Sequence, residues 1–324
     1  MDPTRLIDPH GLAEPFLREW DDCSDSVVAH TSGSTGTPKE IRLLKSDMVA
    51  SALATCRRFG IGSSSLLYMP LSASYIAGKM MLVRAAVSGA RIQVVPPSLD
   101  PLPVPPVGRV ALLPIVPAQA DRFLASPYAS MVDAVIVGGA PISAETEQAL
   151  ASSSAAVYAT YGMTETCSHV ALRRVGDPAT PFEAMPVITF AVDPRGCLVI
   201  EAPAFSFRRI VANDIVELLT PTAFRWRGRA DNIINTGGIK VVPEELESKL
   251  APLLTGISFY ITSRPSERWG SELVLVVESP DDFNRAAFME AASHILPHRL
   301  LPKQIITLPT LPRTPTGKLL RRPL

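Results

Sequence analysis

The hydrophobic and polar positions along the chain follow two rhythms. From residue 25 to 165, short apolar runs alternate with longer segments of helical spacing. "SVVAH" reads as a short strand. "KSDMVASALATCRRFG" reads as a helix with Met48, Ala52, Leu53 and Cys56 on one face and Gly60 as its stop. "SLLYMPL" is strand-like, "YIAGKMMLVRAAVSG" is a buried helix ending near Gly89, and "ARIQVV" and "RVALLPIV" are strands. A helix over "PAQADRFLA" and a strand in "VDAVIVGGAPIS" that runs into a glycine turn come next. A helix beginning at Ser143 and a strand in "AAVYATYG" follow them. This alternation predicts a layered α/β fold with mostly parallel strands.

The rhythm changes after residue 187. "VITFAV" and "CLVIEA" read as strands joined by the turn "DPRG", and "IVELL" and "FRWRG" add strand-like pieces, so a β-rich subdomain is expected there. After "GRADN" comes a strand in "GIKVV". A helix then opens at Pro243, with proline in the first turn and acids at the positive end. A strand pair, "ISFYITS" and "SELVLVVES", and a helix in "DDFNRAAFMEAASHIL" complete a small α+β unit. The expected organisation is a large domain over 1–230 and a small mobile one over 231–324, with the boundary near Arg229–Asp231.

Composition narrows the function. Lys plus Arg and Asp plus Glu are 31 each in 324 residues, so the net charge is zero, which argues against nucleic-acid or anionic-membrane partners. No run approaches the ~20 apolar residues of a membrane span. Cys23, Cys56, Cys167 and Cys197 form no CxxC pair and no zinc spacing, so ordinary thiols in a reducing cytoplasm are expected. Proline clusters such as "VVPPSLDPLPVPPVG" read as extended connectors.

Chemistry concentrates first in "TSGSTGTPK", directly after a β run. Glycines let backbone N–H groups approach oxyanions, and hydroxyls and a lysine add donors, as polyphosphate binding requires. The loop fits neither GxxxxGK[ST] nor GxGxxG. Taken alone, it is equally an exposed turn.

Its companions decide the matter. "TSGSTGTPK", "GGAPIS", "YGMTET", "NDIVEL", "GRADNIINTGGIKVVPEELE" and "RTPTGKLLRR" stand in that order from residue 31 to 322. Together they resemble the motifs of the adenylate-forming superfamily of acyl-CoA synthetases, luciferases and peptide-synthetase adenylation domains. Within it, "YGMTETCSHVALR", "INTGGIKVVPEELE" and "SYIAGKMMLVRA" are most similar to the branch that ligates 2-succinylbenzoate to CoA in menaquinone biosynthesis. Another aryl or acyl acid, or transfer to a carrier-protein thiol, are the alternatives. The segment before the phosphate loop is shorter than is usual for the superfamily.

The resemblance implies ATP, Mg²⁺, coenzyme A and a small carboxylic acid as cofactor and substrates, with a homodimer allowed. It implies that Thr31, Ser32, Gly33, Ser34, Thr35, Gly36 and Lys39 hold the β,γ-phosphates. Gly138, Gly139 and Ala140 would lie against adenine, with Tyr161, Gly162 and Met163 beside it. Thr164 would donate to the α-phosphate and Glu165 would hold Mg²⁺. Asp214 would accept from the ribose hydroxyls and Arg229 would contact ribose or phosphate. Asp231 would be the hinge, Gly237 and Gly238 would border the CoA channel, and Lys318 would be the catalytic ammonium. For the acid, Lys79, Ser168 and His169 are expected; a lysine inside an apolar helix needs a partner or a route to the surface.

Overall fold

A computed structural model describes residues 2–30, 39–279, 283–313 and 319–321. They form two compact units. One comprises Met1–Phe190, Ile200–Ile210 and Pro221–Ala223; the other comprises Ala191–Val199, Val211–Thr220 and Phe224–Leu324.

The first unit has the expected α/β alternation. Its elements are β1 (Leu6–Ile7), α1 (Glu14–Asp21), β2 (Ser26–His30), β3 (Glu40–Leu44), α2 (Lys45–Phe59), β4 (Leu66–Met69), α3 (Ile76–Ser88) and β5 (Arg91–Val94). Then come β6 (Val110–Ile115), α4 (Ala120–Ala125), β7 (Ala134–Val137), α5 (Ala144–Ala151), β8 (Ala156–Gly162), β9 (His169–Arg174) and β10 (Phe182–Ala184). The strands lie in the order β1-β5-β4-β6-β7-β8-β9-β10. From β1 to β8 the pairing is parallel, and β9 and β10 join antiparallel. β4 and β7 are buried along their whole length, as strands covered on both faces must be. Leu66, Tyr68, Leu113, Ile115, Phe123, Val135, Val137, Leu150 and Val157 belong to one continuous core.

Polar pins complement that core. Ser143 caps α5, its Oγ accepting from Thr146 N–H at 3.1 Å. Asp47 in the first turn of α2 accepts from the Ser206 N–H at 3.0 Å and from its hydroxyl, across 159 residues of chain. Glu147 of α5 and Arg173 of β9 form a two-pronged ion pair, their side chains 4% and 11% exposed. Truncating one member would strand the other charge in the interior. Arg173→Met is expected to cost about 3 kcal/mol of stability, measured by urea denaturation, and the further change Glu147→Gln to restore part of it.

β11 (Thr189–Val192), β12 (Cys197–Ala202), β13 (Arg208–Thr220) and β14 (Ala223–Arg229) pair in the order β14-β13-β12-β11. β13 runs well beyond the "IVELL" expected from the sequence. Beyond them, the second unit contains β15 (Ile234–Thr236), β16 (Ile239–Val241), α6 (Pro243–Leu250), β17 (Phe259–Ser266), β18 (Gly270–Glu278), α7 (Arg285–Ile295) and β19 (Gln304–Leu308). β17 and β18 are an antiparallel pair, and β19 adds in parallel to β18. Leu246, Leu250, Ile261, Leu275, Phe288 and Ile305 lie in the core of this unit. Among the described residues no helix is long and apolar enough to cross a membrane, and all four cysteines are free.

Candidate functional site

In the first unit, two groups of the expected nucleotide residues follow the ends of the neighbouring strands β7 and β8. β2 and β3 form an antiparallel hairpin in which His30 pairs with Glu40. Thr31, Ser32, Gly33, Ser34, Thr35 and Gly36 lie outside the described residues, and Lys39 is exposed immediately before β3. Gly138, Gly139 and Ala140 follow the C-terminal end of β7, where open α/β sheets bind ligands. The Gly138 N–H donates to the Ile115 carbonyl at 3.1 Å.

β8 ends in Tyr161 and Gly162, and the chain turns back through Thr164–Thr166 into β9. The turn leaves no room at Gly162: a Cβ there would sit 2.2 Å from the Ser168 carbonyl oxygen. The Thr166 hydroxyl donates within the turn, 3.0 Å from the Met163 carbonyl and 2.7 Å from that of Ser168. Cys167 adopts a φ of 62° and its thiol is pushed up to about 12, by burial first and then by Asp47. Glu165 projects from the turn, exposed, with Thr164 half-buried beside it. Tyr161 is half-buried and meets Phe182 edge-on, ring centroids 6.0 Å apart. No group of three or more His, Cys, Asp or Glu that could hold a metal ion occurs among the described residues. A single exposed carboxylate suits Mg²⁺ carried on phosphate oxygens better than a protein cage.

Below that turn lies a buried polar row that the sequence reading only partly anticipated. Ser168 and His169 were expected; Arg84 and Thr55 were not. Arg84, on α3, is 2% exposed. Its Nη2 donates to Ser168 Oγ at 2.8 Å and its Nη1 to Met81 Sδ at 3.4 Å, and its Nε has no partner. No carboxylate pairs with it among the described residues. Burial pulls its guanidinium down to about 10, still protonated at neutral pH.

His169 Nδ1 lies 3.3 Å from Ser168 Oγ, and its Nε2 lies 3.3 Å from Thr55 Oγ1. Burial first, and Arg84 second, push the imidazole down to about 3, so it is neutral. Unfolded, the ring titrates near 6.5, so between those values the unfolded chain binds more protons and stability falls as the pH drops from about 6.5 toward 3. His169→Asn is expected to flatten that loss, read from thermal midpoints at neutral and acid pH.

Lys79 requires a correction. It neither reaches the surface nor presents a spare charge to an acid. It is 6% exposed, its Nζ lies 2.7 Å from Glu19 Oε2, and it sits 4.7 Å from the centroid of the Phe16 ring. A glutamate sixty residues away neutralises it.

The second unit holds its own expected residues. Asp214, on β13, is 9% exposed and accepts from Trp226 Nε1 at 3.0 Å. Arg229 lies 3.7 Å from Asp214 and donates to Asp231 at 2.9 Å. Asn213 donates to the same Asp231 carboxylate at 3.3 Å. Gly237 and Gly238 form the two-residue turn between β15 and β16, with φ of 55° and 78°, the left-handed pair that such hairpins require. Lys318 lies outside the described residues, but both of its flanks are held. Arg313 donates to Ser258 Oγ and Glu278, each at 2.8 Å, and pairs by a β-bridge with Leu319. Arg321 grips Glu247 with both nitrogens and donates to the Ile261 carbonyl at 3.3 Å.

Comparison with known proteins gives the family and the fold. A family model described as AMP-binding enzyme matches residues 15–193. The 2-succinylbenzoate–CoA ligase of Listeria monocytogenes is 22% identical over 96% of this chain and 72% of its own length. That of Enterococcus faecalis is 25% identical over 96% and 71%. A solved acyl-CoA synthetase (AMP-forming)/AMP-acid ligase II-like protein from Dyadobacter fermentans is 32% identical, with a TM-score of 0.65, covering 97% of this chain and 93% of its own. The o-succinylbenzoate CoA synthetase of Bacillus subtilis, solved with its acyl-adenylate intermediate, shares the fold at a TM-score of 0.76 and 19% identity, covering 91% and 67%.

Proposed function

Since this chain belongs to the AMP-binding enzyme family and is an AMP-forming acid–CoA ligase, we propose that its acid is 2-succinylbenzoate and its pathway menaquinone biosynthesis. The observation that carries this reading is Arg84, a buried guanidinium with no carboxylate partner among the described residues and an Nε without any acceptor. Burying an unpaired charge is costly. A substrate that brings a second carboxylate, besides the one that reacts, would complete the site. Ser168 and neutral His169 extend the polar end, and the aromatic ring needs only an apolar slot.

The reaction runs in two steps. A carboxylate oxygen of the acid attacks the α-phosphorus of ATP, the bond to the bridging β-phosphate oxygen breaks, and pyrophosphate leaves. The sulfur of CoA then attacks the acyl carbon, the bond to the AMP oxygen breaks, and AMP leaves as the thiol gives up its proton. The enzyme aligns mutually repelling anions and neutralises charge as it develops.

Thr31–Gly36 and Lys39 hold the β,γ-phosphates. Thr164 donates to the α-phosphate, and Lys318 stabilises the charge shared by the acyl oxygen and that phosphate. Gly138, Gly139 and Ala140 line the base, with Tyr161, Gly162 and Met163 alongside. Asp214 receives the ribose hydroxyls, a task suited to a carboxylate with two oxygens, and Arg229 supports it. Glu165 would hold Mg²⁺, which neutralises the triphosphate when bound. Asp231 is the hinge, and Gly237 and Gly238 leave space for pantetheine. The test is pyrophosphate release across a panel of acids with ATP and CoA. Steady release with 2-succinylbenzoate and none with benzoate or fatty acids is the expected result; turnover confined to a different acid would replace this substrate assignment.

A further inference from the structure

The strand that leads into residues 31–38 is held by a side chain outside every motif. Among the described residues β2 pairs on one side only, with β3. Val28, in its middle, turns its N–H away from that partner and donates to Glu19 Oε1 at 2.6 Å. An edge N–H in a partly buried position needs an acceptor, and a carboxylate is a strong one. The other oxygen of Glu19 receives Lys79 Nζ at 2.7 Å, so α1, β2 and α3 meet at one carboxylate. The pair is largely shielded, with side chains 8% exposed for Lys79 and 28% for Glu19, and Phe16 lies under the ammonium. A second tie holds the far end of the hairpin, where Lys45 Nζ contacts Asp22 Oδ1 at 2.9 Å.

We propose that Glu19 is a positioning residue for the triphosphate of ATP, fixing β2 through Val28 while Lys79 fixes Glu19. The proposal rests on the reading of Thr31–Gly36 as the phosphate-binding residues. Val28 stands three positions before Thr31. Backbone donors serve an anion only when held to within about 0.5 Å of the productive geometry, so the anchor of the entering strand should be felt at the phosphates. AMP, which lacks the β- and γ-phosphates, should not feel it.

The experiment measures equilibrium binding of MgATP and of AMP to the full chain by calorimetry. Lys79→Met is combined with Glu19→Gln in one variant and with Glu19→Leu in another. Both remove the buried ion pair; only the glutamine keeps an acceptor facing Val28. The glutamine variant is expected to bind MgATP nearly as tightly as the unaltered chain, and the leucine variant about tenfold more weakly, with AMP bound equally by all three. Equal MgATP affinities in the two variants would overturn the proposal. So would AMP affinity falling in step with that for MgATP, since this marks a general loss of structure. An unaltered chain that binds neither nucleotide would instead remove the nucleotide-site reading, and this inference with it.

Discussion

Lys318→Ala is expected to slow acyl-adenylate formation by about 10²- to 10³-fold while MgATP still binds. That is the usual cost of losing one preorganised group that meets charge developing in the transition state. The structural support lies on either side of the residue. Arg313 is tied to Ser258 and Glu278, and Arg321 to Glu247 of α6, so the residues on either side of it are held at fixed points of their unit. Rapid-quench measurement of pyrophosphate formation reads the first step alone. Transfer from preformed acyl-adenylate to CoA should be far less affected. A normal adenylation rate in the variant would remove Lys318 from the role.

Arg84→Met is expected to lower kcat/KM for 2-succinylbenzoate by about thirtyfold or more, mostly through KM, because truncating one partner of a buried charge pair costs roughly 2–5 kcal/mol. The same change should leave stability of the free chain unchanged or raise it, since it removes a buried charge without a carboxylate and an orphaned Nε. Affinity and stability moving in opposite directions is a signature that a purely structural arginine would not give. Arg84→Lys should restore only part of the affinity, because an ammonium cannot reproduce the two-pronged geometry of guanidinium on carboxylate. Steady-state kinetics with a thermal midpoint on the same samples checks both halves. If stability falls and KM stays constant, Arg84 is a structural residue.

The difference between Arg84 and Lys79 shows where sequence reading stops. Both sit in the apolar helix "YIAGKMMLVRAAVSG", and in both a charge among hydrophobic neighbours signals something unusual. What separates them is the partner. Lys79 finds Glu19 across sixty residues, and Arg84 finds Ser168 across eighty-four. Local spacing carries no record of such pairings, so the cation that is neutralised was the one singled out. Elements with strong periodicity, turn glycines or a capping residue were legible: α2 with Gly60, α5 with Ser143, the β17–β18 pair. Some short ones were not. α1 is amphipathic but only eight residues long with proline in its first turn, and its value lies in what Phe16, Glu19 and, just past its end, Asp22 touch farther along the chain. β3 and β9 escaped notice for a related reason, since each owes its pairing to the strand before a motif rather than to its own alternation.

The order in which the units recur along the chain has a consequence for synthesis. The backbone passes from one to the other after Phe190, Val199, Ile210, Thr220 and Ala223. Ser206, which satisfies the carboxylate at the head of α2, belongs to one of the later returns. On the ribosome, the first unit therefore cannot finish folding when its long opening stretch emerges. It must wait, with Asp47 lacking its protein partner, until the segment through Ala223 has left the exit tunnel. A single proteolytic nick near Phe190 would likewise free neither unit intact.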